Sequence, residues 1–186
     1  LGTSTAEQLE LRTLDPGYRA YFEGQSTPFD LPAGPEQARA ALISLDPESE
    51  RGIHRYLDSA SSTYDLALRR FLYTSFDSVR PFFGREVLAG LPRLARMLTR
   101  SLDGEIRAHT RESRLRRLLG YPAVFLGGSP LQVPGMYHLM SHLDVNDGVL
   151  YPMGGFDAVV QSFVRLARAA GAELHTHTTV ESIVTA

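Results

Sequence analysis

The chain has 186 residues, 43% of them hydrophobic, which is enough for a globular domain with its own core. It contains no cysteine and all 19 of its basic residues are arginine, so disulfides, thiolate chemistry and any Schiff-base or catalytic lysine are excluded. The net charge of −2 hides an asymmetry: residues 1–79 carry 7 Arg against 12 acids, residues 80–117 carry 10 against 4, and residues 118–186 carry 2 against 5.

Residues 1–8 are small and polar and are expected to fray. Tyr18, Ala20 and Phe22 then alternate with Arg19, Tyr21 and Glu23, Gly24 opens a loop, and a second strand is predicted over 27–31. Residues 18–31 are therefore read as a β-hairpin, with Pro28 marking its second strand as an edge. Pro32, Gly34 and Pro35 form a turn, Pro35 suits the first position of a helix over 36–44, and Asp46-Pro47 looks like the cap of the next helix. That second helix should turn Ile53, Tyr56, Leu57 and Ala60 inward and run toward Tyr73, with a break over 74–78. Two further helices are predicted over 84–98 and 104–119, Pro92 bending or dividing the first, and Pro122 ends the helical block. A glycine turn at 127–130 and a short helix over 134–143 follow.

Gly148, Pro152, Gly154 and Gly155 are turn residues placed directly before the best helical pattern in the chain. There Phe156, Val159, Val160, Phe163, Val164, Ala167 and Ala170 recur at steps of three and four, and Gly171 stops the helix. Residues 173–184, rich in Thr, Val and Ile, are predicted as two short strands. Glycines before a helix admit a phosphate, a flavin or another backbone, because no Cβ intrudes; a plain tight loop is the alternative.

The basic block at 79–117 combines Phe82, Phe83, Val87, Leu88, Leu91, Leu94, Ala95 and Leu98 with Arg80, Arg85, Arg93, Arg96 and Arg100. Such a pattern suits an anionic membrane surface, and equally an ordinary pair of solvated helices. Nucleic acid is not expected, because the rest of the chain is acidic and no binding motif is present. No apolar run approaches the roughly 20 residues that span a bilayer, and no signal-peptide pattern opens the chain, so a cytoplasmic protein, soluble or peripheral to the membrane, is expected. His138 and His142 lie four apart, a spacing that can bind metal, but no third ligand is adjacent and no metal site is assigned; His175 and His177 are read as structural.

The runs L-G-G-S-P at 126–130, D-G-V-L-Y-P-M-G-G-F at 147–156, G-A-E-L at 171–174 and V-E-S-I at 180–183, with Tyr137 and L-D-P-G-Y-R-A-Y-F at 14–22, resemble the bacterial phytoene desaturase family. Those are FAD-dependent enzymes of carotenoid synthesis, related to the flavin amine oxidases. The family's opening strand, G-x-G-x-x-G turn and helix do not occur here. The chain is accordingly expected to be an internal piece of a longer flavoprotein, inactive in isolation because it lacks a pyrophosphate site.

The resemblance implies an α+β chain forming part of an α/β FAD-dependent oxidoreductase. Residues 1–150 would be a substrate-binding, membrane-facing region, with the hairpin at 18–31 and a helical insert at 35–119. Residues 151–186 would return to the FAD-binding domain. It further implies an apolar carotenoid substrate, with FAD near Pro152, Gly154 and Gly155 and its adenine end at the Val180 backbone. Arg85, Glu86 and Pro92 match a proton-handling motif considered for some members, but Ala89 replaces its second arginine, so Glu86 is either an acid–base candidate or a surface carboxylate. A carotenoid isomerase or polyene saturase shares these motifs, and a non-catalytic membrane-surface module is the alternative from a different class.

Overall fold

In a computed structural model of the chain, residues 2–72, 75 and 90–184 are described. The described chain is α+β, with short two-stranded sheets among many helices. It divides into two compact units, one made of Leu1–Arg12 with Leu150–Ala186 and the other of Thr13–Val149.

In the larger unit, β2 (Tyr18–Ala20) and β3 (Phe29–Leu31) form the expected antiparallel hairpin, with Arg19 opposite Asp30. That pair is a two-pronged bridge, Nε to Oδ1 at 2.6 Å and Nη2 to Oδ2 at 2.8 Å. Helix α2 (Pro35–Leu45) starts on Pro35, whose missing N–H costs nothing at a helix start. Asp46 does not cap the next helix through its side chain: a 3-10 turn (Pro47–Ser49) intervenes, and the Asp46 carboxylate accepts the hydroxyl of Thr110 instead. Helix α3 (Glu50–Ala67) buries Ile53, Tyr56, Leu57 and Ala60 as its spacing demands, then loosens into a π turn (Leu68–Leu72).

After the break predicted over 74–78, which apart from Ser75 lies outside the described residues, α4 (Leu91–Thr99) carries Pro92 in its first turn; residues 84–89 of the helix predicted over 84–98 also lie outside the described residues. The single helix predicted over 104–119 is two, α5 (Leu102–Arg107) and α6 (Ser113–Gly120). Ser101 caps the first by accepting the Gly104 N–H, and Glu112 caps the second by accepting that of Leu115. Pro122 does not stop helical structure but lies in the first turn of a 3-10 segment (Tyr121–Leu126), which Gly127 closes in the left-handed region at φ 64°.

The return segment pairs with the start of α5. Leu102 N–H donates to Val133 O and Gly135 N–H to Arg100 O. Residues 135–147 then form a graded helix: a 3-10 turn (Gly135–Leu139), one α turn, α7 (Met140–His142), and a π turn (Leu143–Asp147). Leu31, Leu42, Ile53, Leu102, Ile106 and Leu115 anchor one buried cluster to which the hairpin, α2, α3, α5 and α6 contribute. Gly52 permits the closest approach inside it, since a Cβ there would overlap the carbonyl oxygen of His109.

In the smaller unit, α1 (Thr5–Gln8) gives order to a stretch expected to fray, because Ser4 caps it. β1 (Leu11–Thr13) pairs with β4 (Leu150–Pro152), and α8 (Phe156–Ala169) follows. Met153 N–H donates to Glu10 O, and Arg165 Nη2 donates to Gln8 O. The two strands predicted over 173–184 are not formed; these residues are exposed and make no strand pairing. Their Thr, Val and Ile content favours extended backbone, but a strand needs a partner edge to hydrogen-bond.

Candidate functional site

The turn between β4 and α8 is built by backbone conformation. Gly154 lies at φ 89°, and Gly155 at φ 78° and ψ −173°, a region that essentially only glycine occupies. Gly155 N–H closes the turn on Pro152 O at 2.9 Å. A Cβ at Gly154 would reach only Ala158 Cβ at 3.5 Å, and one at Gly155 only the Tyr151 hydroxyl at 3.6 Å. The glycines are thus required by φ rather than by crowding, and they leave a strip of backbone bare. No side chain caps α8; Asp157 lies in its first turn, and Ala158 N–H donates to Gly155 O.

Of the four residues expected near a flavin, Gly154 is exposed and Gly155 half-buried, with open space beside their backbone. Val180 is 73% exposed. Pro152 is buried, and its carbonyl accepts the Gly155 N–H. Glu86 lies outside the described residues, as do Arg80, Phe82, Phe83, Arg85, Val87 and Leu88.

The helix expected to carry a buried apolar face shows two faces. Val159, Ser162 and Leu166 turn inward, Ser162 fully, while Phe156 is 79% and Phe163 65% exposed and Val160 is exposed beside them. A stripe of large apolar side chains open to water marks a contact surface.

The larger unit holds a buried polar network that the sequence did not announce. His138, fully buried, donates from Nδ1 to Gly135 O at 3.0 Å, which leaves Nε2 to accept the Ser59 hydroxyl at 3.0 Å. Ser59 in turn accepts from Arg93 Nη2 at 2.9 Å, and the same nitrogen reaches Ser62 and Thr63. Burial pushes the His138 pKa below the ordinary imidazole value, against the opposing pull of Glu105. Glu105 is buried with Arg96 Nη2 at 3.1 Å from Oε1 and Arg100 Nη1 at 3.6 Å from Oε2. His109, 3.6 Å away, and then Arg96 hold its carboxyl below the usual range, overcoming the effect of burial. Tyr56 stands edge-on to His109 and to His138, both at 5.6 Å, and shares a hydrogen bond with Ser141.

His142 stacks on Tyr64 at 4.5 Å and bonds Ser61 through Nδ1. Its i,i+4 relation to His138 places the two on different partners, and among the described residues no group of three or more metal-ligating side chains converges. His175 and His177 are exposed, and no strand places them on a shared side. Nor does any helix among the described residues have the length and apolarity to cross a membrane.

Comparison with known proteins gives this arrangement a context. No protein-family model matches the chain. The carotenoid 3,4-desaturase of Haloarcula japonica is 29% identical over 182 residues, 98% of this chain and 36% of that protein. The phytoene desaturase of Fusarium fujikuroi is 30% identical over 187 residues, 98% of this chain and 32% of its own length. The chain is a relative of the carotenoid desaturases. A third such protein, the lycopene-forming phytoene desaturase of Pantoea ananas, is 26% identical over 93% of this chain and 34% of its own. The chain thus spans about a third of the length of the curated proteins it matches.

Proposed function

We propose that this chain is the substrate-side and returning segment of an FAD-dependent oxidoreductase that desaturates an acyclic C40 carotenoid precursor such as phytoene, acting from the cytoplasm at an anionic membrane surface. The observation that carries this reading is similarity along 98% of the chain to proteins named for carotenoid and phytoene desaturation. Supporting it, Gly154 and Gly155 present bare backbone at the start of α8, as close approach of a planar cofactor requires. Residues 1–150 take the substrate and membrane role, and residues 151–186 return to the cofactor domain.

In this reading Gly154, Gly155 and the Val180 backbone contact FAD, with Pro152 setting the turn. When bound, the flavin supplies the acceptor for the hydride removed as a saturated C–C bond becomes a double bond. The protein orients the polyene, excludes water and disposes of the proton, for which Glu86 is the candidate. The exposed stripe of Phe156, Val160 and Phe163 is read as packing surface for the remainder of the cofactor domain.

The test is a product assay with the intact protein carrying this segment, expressed in a phytoene-accumulating host and purified for its absorption spectrum. The expected result is a product with a longer conjugated chain together with a flavin spectrum. Phytoene recovered unchanged beside a soluble, flavin-loaded protein overturns desaturation. A product with rearranged geometry and no new double bond assigns an isomerase, and one with fewer double bonds a saturase.

A further inference from the structure

In the basic block singled out at 79–117, the arginines on α4 and at its C-terminal end are not free. Arg93 is hydrogen-bonded to Ser59, Ser62 and Thr63, and Arg96 and Arg100 are paired with Glu105. A lipid-facing surface must lie where apolar groups and uncommitted charge coincide, and that happens at the next element along the chain.

The 3-10 segment Tyr121–Leu126 is fixed from beneath by Pro122 and Ala123, both buried. Its outward side presents Val124 at 65% and Phe125 at 66% exposure, beside exposed Tyr121, Leu126 and Leu131. Ring contacts and a backbone hydrogen bond support this display. Tyr121 packs against Tyr18 at 6.0 Å and edge-on against Phe125 at 5.5 Å, and Gly128 N–H ties the exit of the turn to Ala123 O.

Beside it, a depression of about 380 Å³ brings Leu131 together with Arg107, Arg116 and Arg117 against a single acid, Asp103. Asp103 is shared by Arg107 and Arg116, each at 2.6 Å. Arg117 has no acidic partner among the described residues and also lines a second depression, of about 400 Å³, with Tyr18, Tyr21 and Tyr121. No Asp or Glu occurs anywhere from Ser113 to Leu143. The patch therefore joins protruding apolar and aromatic side chains to net positive charge with no acid along its own stretch of chain.

We propose that the face formed by Tyr121, Val124, Phe125, Leu126 and Leu131, flanked by Arg117, is the docking surface for an anionic lipid bilayer. Apolar side chains enter the acyl boundary while arginines stay at the phosphate level, so both the hydrophobic and the electrostatic contributions favour the same orientation. The choice of a bilayer as occupant rests on the proposed lipid-dissolved substrate; the location rests on the exposed side chains and the charge.

The experiment is co-sedimentation of the full chain with vesicles of phosphatidylglycerol and phosphatidylcholine, and with phosphatidylcholine alone, at low and high salt. Wild type is expected to bind the anionic vesicles. Val124→Ser combined with Phe125→Ser should weaken binding roughly tenfold, and Arg117→Gln about fivefold, the latter effect fading at high salt. Both changes are at exposed positions, so circular dichroism should be unaltered. Because the chain has no tryptophan, Phe125→Trp provides a single reporter whose emission should shift to the blue with anionic vesicles only.

Wild type that binds neither vesicle overturns the lipid reading altogether. Binding that is unchanged by the double substitution, with no shift from Phe125→Trp, overturns this face while leaving membrane association standing. Self-association abolished by the double substitution, without vesicle binding, makes the face a protein contact instead. Failure of the desaturation reading would appear only in the carotenoid product assay, so the two are separable.

Discussion

The two units solve the burial problem in opposite ways. In Thr13–Val149 the apolar positions of α2, α3, α5 and α6 meet: Leu42, Ile53, Leu102, Ile106 and Leu115 are almost wholly buried in one cluster. In the unit of Leu1–Arg12 and Leu150–Ala186, the helix with the clearest apolar periodicity leaves Phe156, Val160 and Phe163 in water, and the Val180–Val184 stretch is exposed as well. Periodicity alone thus states that a helix has a face to bury and not where the cover comes from. A unit that fills its own core is organised by that core, whereas one with an open stripe is organised by something it has yet to contact.

The sharpest way to break this comparison is to make the same kind of deletion in both. Leu115→Ala removes a fully buried side chain and is expected to cost about 2–5 kcal/mol in urea unfolding. Phe163→Ala, a larger truncation at an exposed site, is expected to stay within about 0.5 kcal/mol in the same chain. Comparable losses at the two positions would show that the α8 face is already covered, and the contrast drawn here would be wrong.

A second test separates conformation from packing at the turn before α8. Gly155→Ala forces a Cβ into a backbone region reserved for glycine, although the space around it is open, so a cost of order 1–3 kcal/mol is expected. Hydrogen exchange should locate the effect in the amides of α8 and leave those of α3 and α5 protected. An equal loss of protection in both sets would mean that the units unfold together.

Much of this was legible beforehand, and the misses have physical reasons. The hairpin at 18–31, the start of α2 on Pro35 and the inward set Ile53, Tyr56, Leu57 and Ala60 followed from alternation, proline geometry and helical spacing, all local properties. The split of 104–119 into α5 and α6 went unseen because both halves have helical composition; the division lies in capping by Ser101 and Glu112. Asp46 stands before Pro47 as a cap would, but its carboxylate has a partner 64 residues away, and no local pattern encodes that. The glycine turn at 154–155 was legible from residue type. The Arg93–Ser59–His138 chain was not, since serine and histidine carry no positional signal until the fold brings them together.

That chain makes the larger unit sensitive to acid. Burial keeps the His138 pKa below its unfolded value near 6.5, so the native state favours the neutral ring. The corresponding stability is present above about pH 6.5 and is lost as pH falls toward the native pKa, at up to about 1.4 kcal/mol per pH unit. Glu105, also depressed, adds a similar loss at lower pH, below the ordinary carboxylate value of 4.5. Urea titrations of wild type and His138→Gln between pH 5 and 8 should therefore diverge least at the acidic end. Parallel curves across that range would remove His138 as the source.

The smallest effect runs in the opposite direction and for that reason is diagnostic. Burial raises the Asp144 carboxyl from 3.8 to about 6, so the folded state binds its proton more tightly than the unfolded chain does. Stability from this group is fully present below about pH 4 and is lost as pH rises through 6, the reverse of the His138 window. Asp144→Asn replaces a half-buried charge with a neutral amide and should stabilise the protein by about 1 kcal/mol at pH 8, a figure reduced for partial solvent access. The gain should disappear at pH 4, where wild type is itself neutral. A variant less stable than wild type at pH 8 would mean that the carboxylate has a favourable partner in the folded protein. The charge would then belong to the larger unit's polar network rather than being a cost to it.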